Sequence, residues 1–558
     1  MHPLAGSSVL RFLRLRVAAW YGGSRLLRSA GNLKGTVGGS YFLAARASGG
    51  GGTTFCCDPR TPAGSLCVRS VTATAARWNR ALRGLVFARR LPYLPIVVLV
   101  ATVGSAAVLL GPGRAVFVGL GLLLAWTSWR HTVTGLFLLT GLVLVKWQLK
   151  QWWPDATLWL TLAPPVLLLL TFAGWFARAD IPENRPPALL PVDKGLLLIL
   201  GSIVLSNVNS FLVYHRPANL LYESLVWVQA AGVYLTARAG LKGVRHVRGM
   251  VAGLLVLGLL LAGVGLYQAW SGFKTPDAWV ESYDEAVGTR IISTVGNPNG
   301  LGGFLNTVLL PAAAWVLFGT GRARWALALC MVPLALALLY TYSRGAWLGC
   351  AAAFLVLLLH HNRRSWVAFV VLVLAALLVA PAAAVERLLN IFHPAHLASS
   401  ETAGRLWSLY NVLHILPRHL WLGVGLGMYG GTTAYTMFSP VYDEGLWAGY
   451  VAVPFVDNVF LHVLIQQGVI GLAAFLVFAG TVLLTCQRIF RAASTPLVRA
   501  LAAGTGAAWV AYLVQGLAAT STEFPQMTVP VWLLLGLTAA AHGHACTPAG
   551  GEGRSLDH

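Results

Sequence analysis

The sequence predicts an all-α fold: a polytopic transmembrane helical protein of about 12–14 spans with one large extracytoplasmic loop. Three observations carry that reading. Of 558 residues, 57% are hydrophobic and only 10% are charged. The apolar residues come in blocks of about twenty, the length that crosses a bilayer, rather than at the spacing of an amphipathic surface helix. Polar residues gather between those blocks, most of all in one long stretch, 386–456. A transmembrane β-barrel would need short segments of alternating polarity. Blocks such as GLLLILGSIVL and FVVLVLAALLVA are apolar on every side, so that architecture is excluded.

Taken in order, residues 1–90 form a basic, Gly-rich tail in which Asp58 is the only acidic residue. It has no block of spanning length, and disorder or loose surface association is expected. Organelle transit peptides share this composition, as would a translation start placed too far upstream. Candidate spans then follow at 92–111, 114–128, 132–147, 157–177, 194–212, 218–237, 249–270, 299–318, 324–342, 345–360, 365–385, 457–484, 498–518 and 527–541. Residues 91–270 thus form a first set of membrane helices and 271–541 a second set that includes the 386–456 loop. Residues 542–558 are a C-terminal tail.

The net charge of +22 does not imply nucleic acid. Much of it lies in the tail, and most of the remainder sits in short loops, where the positive-inside bias places Lys and Arg. Arg238, Lys242, Arg245 and Arg248 share one connection; Arg322 and Arg324, Arg363 and Arg364, and Arg488, Arg491 and Arg499 occupy others. Counting spans puts all of these on one face, the cytoplasmic one. Residues 271–298, the turn at Ser343-Arg344, the 386–456 segment and the turn at 521–525 then fall on the opposite face. Arg290, Arg344, Arg387, Arg405 and Arg418 would all point outward, against the bias, and an anionic ligand is the natural reason. The seven cysteines give no metal or disulfide framework. Cys330, Cys350 and Cys486 fall within or beside apolar spans, and Cys56, Cys57 and Cys67 lack a partnering His cluster.

The long loop carries Arg405, His414, Arg418, His419, Asp443, Glu444 and Asp457, which cannot lie unpaired in lipid. Within it, LWSLYNVLHIL has apolar residues at helical spacing and predicts a short helix over the membrane face. GVGLGMYGG predicts a flexible turn after it.

Three stretches go beyond generic membrane sequence: GTRIISTVGNPNGLGGFL (288–305), YTYSRGAWLG (340–349), and the loop pair GRLWSLYNVLHILPRHLWLGVGLGMYGG (404–431) with VDNVFLHVLIQQGVIGL (456–472). In this order they resemble the O-antigen ligase and O-antigen polymerase superfamily of bacterial envelope glycosyltransferases, over roughly residues 195–540. The resemblance implies a multi-pass protein of the inner (cytoplasmic) membrane that needs neither cofactor nor metal. Its donor would be a polyprenyl-diphosphate-linked glycan and its acceptor the hydroxyl of a glycan or glycolipid, meeting among membrane lipids at the outer leaflet.

The residue types suit that chemistry. A departing diphosphate concentrates negative charge, and guanidinium groups bind it bidentately. Arg290 and Arg344 are therefore the first candidates for catalysis, with Arg405 a third cation for substrate. Asn297 and Asn299 flank Pro298 in a turn whose N–H groups could join the diphosphate site or simply cap the next helix. Where the ligases carry a His thought to be the base, this chain reads Val456-Asp457-Asn458. Asp457 can serve as the base, improved by partial desolvation, or as a helix N-cap. Asn458 and His462 are further candidate substrate contacts, and His414 and His419 alternative bases. Gln466 stands where many family members carry Glu.

A second class of function also uses outward arginines: a transporter or flippase for a lipid-linked or anionic envelope substrate. It should show ionisable residues and interrupted helices inside the membrane, often in two matching halves. The spans are nearly free of charge, with Glu223 the main exception, and no internal repeat is visible. Polar groups cluster at one face, which favours surface chemistry.

Overall fold

A computed structural model describes residues 112–179, 189–241, 243–276, 279, 289–379, 382–389, 405–444, 456–520, 522 and 524–546, all within one compact unit, Thr72–His558. The tail at 1–90, the first span at 92–111, parts of the long loop (390–404 and 445–455) and residues 547–558 lie outside the described residues.

The helices in chain order are α1 (Pro112–Arg130), α2 (Thr132–Trp152), α3 (Thr157–Arg178), α4 (Pro191–Tyr214), α5 (Pro217–Gly240), α6 (Val244–Trp270), α7 (Pro298–Phe318) and α8 (Ala323–Tyr340). Then come α9 (Arg344–His361), α10 (Trp366–Val379), α11 (Ala382–Leu389), α12 (Arg405–Ile415), α13 (Thr432–Thr436), α14 (Val459–Ala492), α15 (Pro496–Gln515) and α16 (Pro525–Cys546). Among the described residues no strand occurs, and 9 helices are long and apolar enough to cross a membrane. In hydrocarbon a helix satisfies its backbone internally, which is why all-round apolar blocks adopt it. Chain punctuation sets the starts. Pro191, Pro217, Pro298 and Pro496 open helices where a missing N–H costs nothing. The side chains of Asn297, Ser343, Asn458 and Thr495 cap theirs.

Two helices form the centre. In α7, 78% of the spanning window is buried, and in α15 67%, against 17% for peripheral α8. Small residues let these backbones approach. A Cβ on Gly504 would lie 2.5 Å from Pro311 Cα, and one on Gly349 2.6 Å from the Ala511 carbonyl oxygen. Around them Phe478 stacks on Trp532 at 5.1 Å and Trp509 on Tyr512 at 5.2 Å. Peripheral helices turn large apolar side chains outward, as α4 does with Leu197, Val204 and Leu212.

Two expected spans differ from the simple reading. The block at 365–385 is two helices, α10 and α11. The block at 457–484 is α14, whose path breaks at Gly468 (φ 67°, ψ −168°). After the break α14 still runs about 36 Å, enough to cross the hydrocarbon layer by itself. The segment 423–431, expected outside the membrane with the rest of the loop, is buried against that break.

The reason is hydrogen-bond accounting. A broken helix leaves backbone groups unpaired, and burying them unpaired is costly. Here the loop supplies the partners. Val469 and Ile470 N–H donate to the Leu420 and Trp421 carbonyls (2.8 and 3.3 Å), and Val424 and Gly425 N–H donate to the Ile465 and Gln466 carbonyls (2.9 and 2.8 Å). Polar residues of α4 and α5 complete the set. Ser206 Oγ donates to the Gln466 carbonyl (2.7 Å), Ser210 Oγ to that of Val424 (2.6 Å) and Asn219 Nδ2 to that of Gly427 (3.1 Å), while Asn207 Oδ1 accepts from Leu426 N–H (3.1 Å). Only glycine fits the crossing. Cβ atoms on Gly423 and Gly468 would each fall 2.3 Å from a backbone carbonyl carbon, of Gln466 and Trp421 respectively, and both residues have φ of +67°. Ser206 stands about 12 Å short of the end of α4, so the loop dips well below that end of the bundle.

Candidate functional site

Six chain segments meet around three short turns at one end of the bundle. The first turn joins α8 to α9. Arg290 Nε donates to the Thr341 carbonyl (3.3 Å), and Arg387 Nε, from α11, donates to the neighbouring Tyr342 carbonyl (2.8 Å). Both arginines are buried, at 6% and 3% exposure, and Arg344 follows at the first residue of α9. Three guanidinium groups thus belong to one turn. Arg290 is anchored further: its Nη1 donates to the Trp279 carbonyl (2.7 Å), and its backbone N–H donates to Thr275 Oγ1 (2.8 Å). Burial, reinforced by Tyr340, raises the Tyr342 phenol above its usual value, so that ring stays neutral beside the arginines.

The second turn opens α7. Asn297 Oδ1 accepts from the N–H groups of Asn299 and Gly300 (2.8 and 3.0 Å), which makes it a helix cap. Asn299 ties the turn to both neighbours: its Oδ1 accepts from Ser343 Oγ (2.8 Å), and its carbonyl accepts from Gln515 Nε2 (2.8 Å). The third turn ends α15. Its last carbonyls are taken in succession: Gly516 by Val459 N–H (2.7 Å), Leu517 by Asn458 Nδ2 (3.1 Å) and Ala518 by Arg405 Nη2 (3.0 Å). Gly345, beside Arg344, packs on the same turn, where its Cβ would meet the Ala518 methyl at 3.3 Å. The run from Arg387 and Arg290 through Arg344, Asn299 and Gln515 to Asn458 and Arg405 is therefore one connected frame.

Asp457 sits on that frame, next to Asn458, and is exposed rather than desolvated. It does not cap α14. Asn458 does, accepting from Phe460 and Leu461 N–H (2.9 and 3.0 Å). His462 lies one turn into α14, 2% exposed, with its ring under Gly430, where a Cβ would come 3.2 Å from Nδ1. It is buried, in contrast to the exposed Asp457. His419 is placed elsewhere, against Tyr214 Oη at 3.1 Å. Glu223 on α5 is buried and accepts from Thr433 Oγ1 (3.1 Å), beside Gly427, where an added Cβ would fall 3.1 Å from Glu223 Cβ.

Sequence reasoning left two parts of this site unassigned. From the sequence alone Arg387 reads only as an outward cation at the head of the loop. The signal that could have found it is its company, since an Arg against the charge bias is as unusual there as Arg290 or Arg344. The Gly516–Ala518 turn carries no side-chain signal at all, because it contributes carbonyls.

The fold and the site define an all-α polytopic membrane protein with a cationic, hydrogen-bonded site at one end of its bundle. Residues 326–476 match the family model described as O-antigen ligase, which supports the likeness of this chain to the O-antigen ligase and polymerase superfamily. The match points to glycosyltransferase activity of the ligase or polymerase type in the cell envelope, a family that acts on lipid-linked glycans and glycan acceptors. It spans Arg344, Arg387, Arg405, Asp457, Asn458 and His462, whereas Arg290, Asn297 and Asn299 lie before it. No curated protein matches the chain.

Proposed function

We propose that this protein is an inverting glycosyltransferase that moves a glycan from a polyprenyl diphosphate carrier to an acceptor hydroxyl at the outer leaflet of the cytoplasmic membrane. The observation that supports it is the frame itself: arginines from three distant segments share one turn, and Arg405 and Asp457 stand on the adjoining one. Arg344 and Arg405, half-buried and exposed, meet the diphosphate. Arg290 and Arg387 sit behind them, positioning the Thr341–Arg344 turn and adding buried positive charge. Asp457 takes the proton of the acceptor hydroxyl as that oxygen attacks the anomeric carbon. The bond from that carbon to the diphosphate oxygen breaks, and the charge passes to polyprenyl diphosphate, where guanidinium groups stabilise it.

The break in α14 resembles the interrupted helices of transporters. Its filling by the chain's own loop backbone argues for a fixed scaffold instead, since no substrate is needed to pair those groups. The deciding experiment uses the reconstituted full chain with a lipid-linked donor. Asp457→Asn is expected to lose glycan transfer by a factor of about 10² to 10⁴ while donor binding stays near wild type. Full turnover by that variant would remove Asp457 as the base and move the search to His414, His419 or His462.

A further inference from the structure

At the other end of the bundle, α9, α14 and α15 leave a groove of about 490 Å³ between them. That volume falls within the range of about 300–1,000 Å³ typical of small-molecule sites. Its walls are apolar and its floor is small: Leu357, Leu484 and Val510 flank Gly480, Ala503 and Gly506. Leu484 is 52% exposed, so the groove opens sideways, toward the surface that lipid would cover.

The mouth of the groove is polar. His360, exposed, receives a hydrogen bond from the Gln487 amide at Nε2 (2.9 Å), and its Nδ1 lies 2.8 Å from the Val356 carbonyl. In the amide orientation that satisfies both of its neighbours, the Gln487 oxygen in turn accepts from Arg491 Nε and Nη2 (3.1 and 3.2 Å), while Phe490 packs edge-on against the His360 ring at 5.6 Å. This relay holds the Arg491 guanidinium at the rim of an apolar channel. Arg488 and Arg364 stand exposed at the same end, so the local charge is strongly positive.

An apolar channel with a cation at its mouth, at the end of three spanning helices, matches one kind of molecule in a membrane. We propose that the groove binds an anionic phospholipid, with one acyl chain along Gly480, Ala503 and Gly506 and its phosphate at Arg491. Charge complementarity selects the headgroup, and lateral opening lets the chain enter from the bilayer. The donor carrier is not the occupant, because the proposed diphosphate site lies at the opposite end of the same helices. That exclusion rests on the proposed function, whereas the groove and its charged mouth stand without it.

The test is native mass spectrometry of the full-length protein, delipidated and then exposed to vesicles of phosphatidylglycerol or of phosphatidylethanolamine. Wild type is expected to retain one phosphatidylglycerol at least tenfold in preference to phosphatidylethanolamine, and to gain thermal stability from it. Gly480→Leu should abolish retention, since a Cβ there meets nothing within 4 Å and the new side chain would extend into open space. Arg491→Gln should abolish the headgroup preference without disturbing the fold. Equal retention of both lipids by wild type and both variants would mean adventitious lipid only and would overturn the proposal. Displacement of phosphatidylglycerol by a polyprenyl phosphate would overturn it too, by naming a different occupant.

Discussion

The two ends of α9, α14 and α15 are built on opposite principles. At the Arg344, Val459 and Gln515 end, polar groups are locked into one another: carbonyls of helix ends and turns are claimed by arginine, asparagine and glutamine side chains, and a glycine crossing seals the broken helix. At the His361, Ala492 and Pro496 end, positive charge is present too, with Arg499 Nη2 donating to the Ala493 carbonyl (3.2 Å) and Arg491 held by Gln487. Arg364, Arg488 and Arg491 stand exposed at that end, where an apolar groove opens between α9, α14 and α15. Charge density therefore does not mark the reactive end. Preorganisation does, because donors held in place before a charge develops stabilise it without the cost of rearranging.

This contrast breaks most completely if the two ends share a side of the membrane. In a background without native cysteines, single cysteines at Thr436 and Ser494 are exposed on segments at opposite ends, and an impermeant thiol reagent should reach them from opposite faces. Labelling of both from one face would overturn the topology. Next in size is Gly468→Ala, which forces a Cβ to 2.3 Å from the Trp421 carbonyl carbon in a left-handed conformation. It should destabilise the protein by about 2–5 kcal/mol, read as a lower midpoint of thermal unfolding in detergent, and reduce transfer with it. A silent Gly468→Ala would mean that the crossing relaxes freely.

Lysine replacements sharpen the contrast further. Arg344→Lys and Arg387→Lys each keep the charge but lose the planar fork. Each should lower transfer by about 10- to 100-fold. They should differ in donor affinity, with Arg344→Lys weakening binding and Arg387→Lys acting mainly on turnover as expected of a positioning residue. Equal losses of binding would place both against the diphosphate. The smallest effect belongs to Asn458. Asn458→Ala removes the α14 cap and should cost about 1 kcal/mol, whereas Asn458→Asp keeps the cap and loses only the donor to Leu517. A thermal-unfolding comparison that finds Asn458→Asp as damaging as Asn458→Ala would assign the residue's weight to the Leu517 link instead.

Much of the helical layout could be read without coordinates. Eleven of the expected spans coincide with single described helices, 365–385 falls on two, 457–484 falls on the broken α14, and 92–111 lies outside the described residues. The short helix expected in LWSLYNVLHIL is α12. Asn297 shows the limit of such reading: its type and its place before Pro298 suit either a cap or a ligand contact, and the hydrogen bonds to Asn299 and Gly300 N–H assign its oxygen to the cap. Asp457 and Asn458 are adjacent and chemically alike as caps, so local pattern could not choose between them. The contact of Asn458 Nδ2 with Leu517, 59 residues away, requires an amide rather than a carboxylate.

By itself the sequence determined what depends on neighbours along the chain: helix, spanning length and the punctuation that starts each span. Those follow from local periodicity and the cost of placing polar groups in hydrocarbon. The tertiary structure decided what depends on contacts between distant residues. Ser206 meets Gln466 across 260 positions, and Arg290 meets Thr341 across 51. Through such contacts a break at Gly468 becomes a filled joint, the glycine-rich turn is drawn into the bundle instead of lying over it, and Arg387 is gathered to the turn that carries Arg344. The physical reason is the same in each case. A buried backbone group must find a partner, and which partner it finds is a property of packing that no stretch of sequence contains.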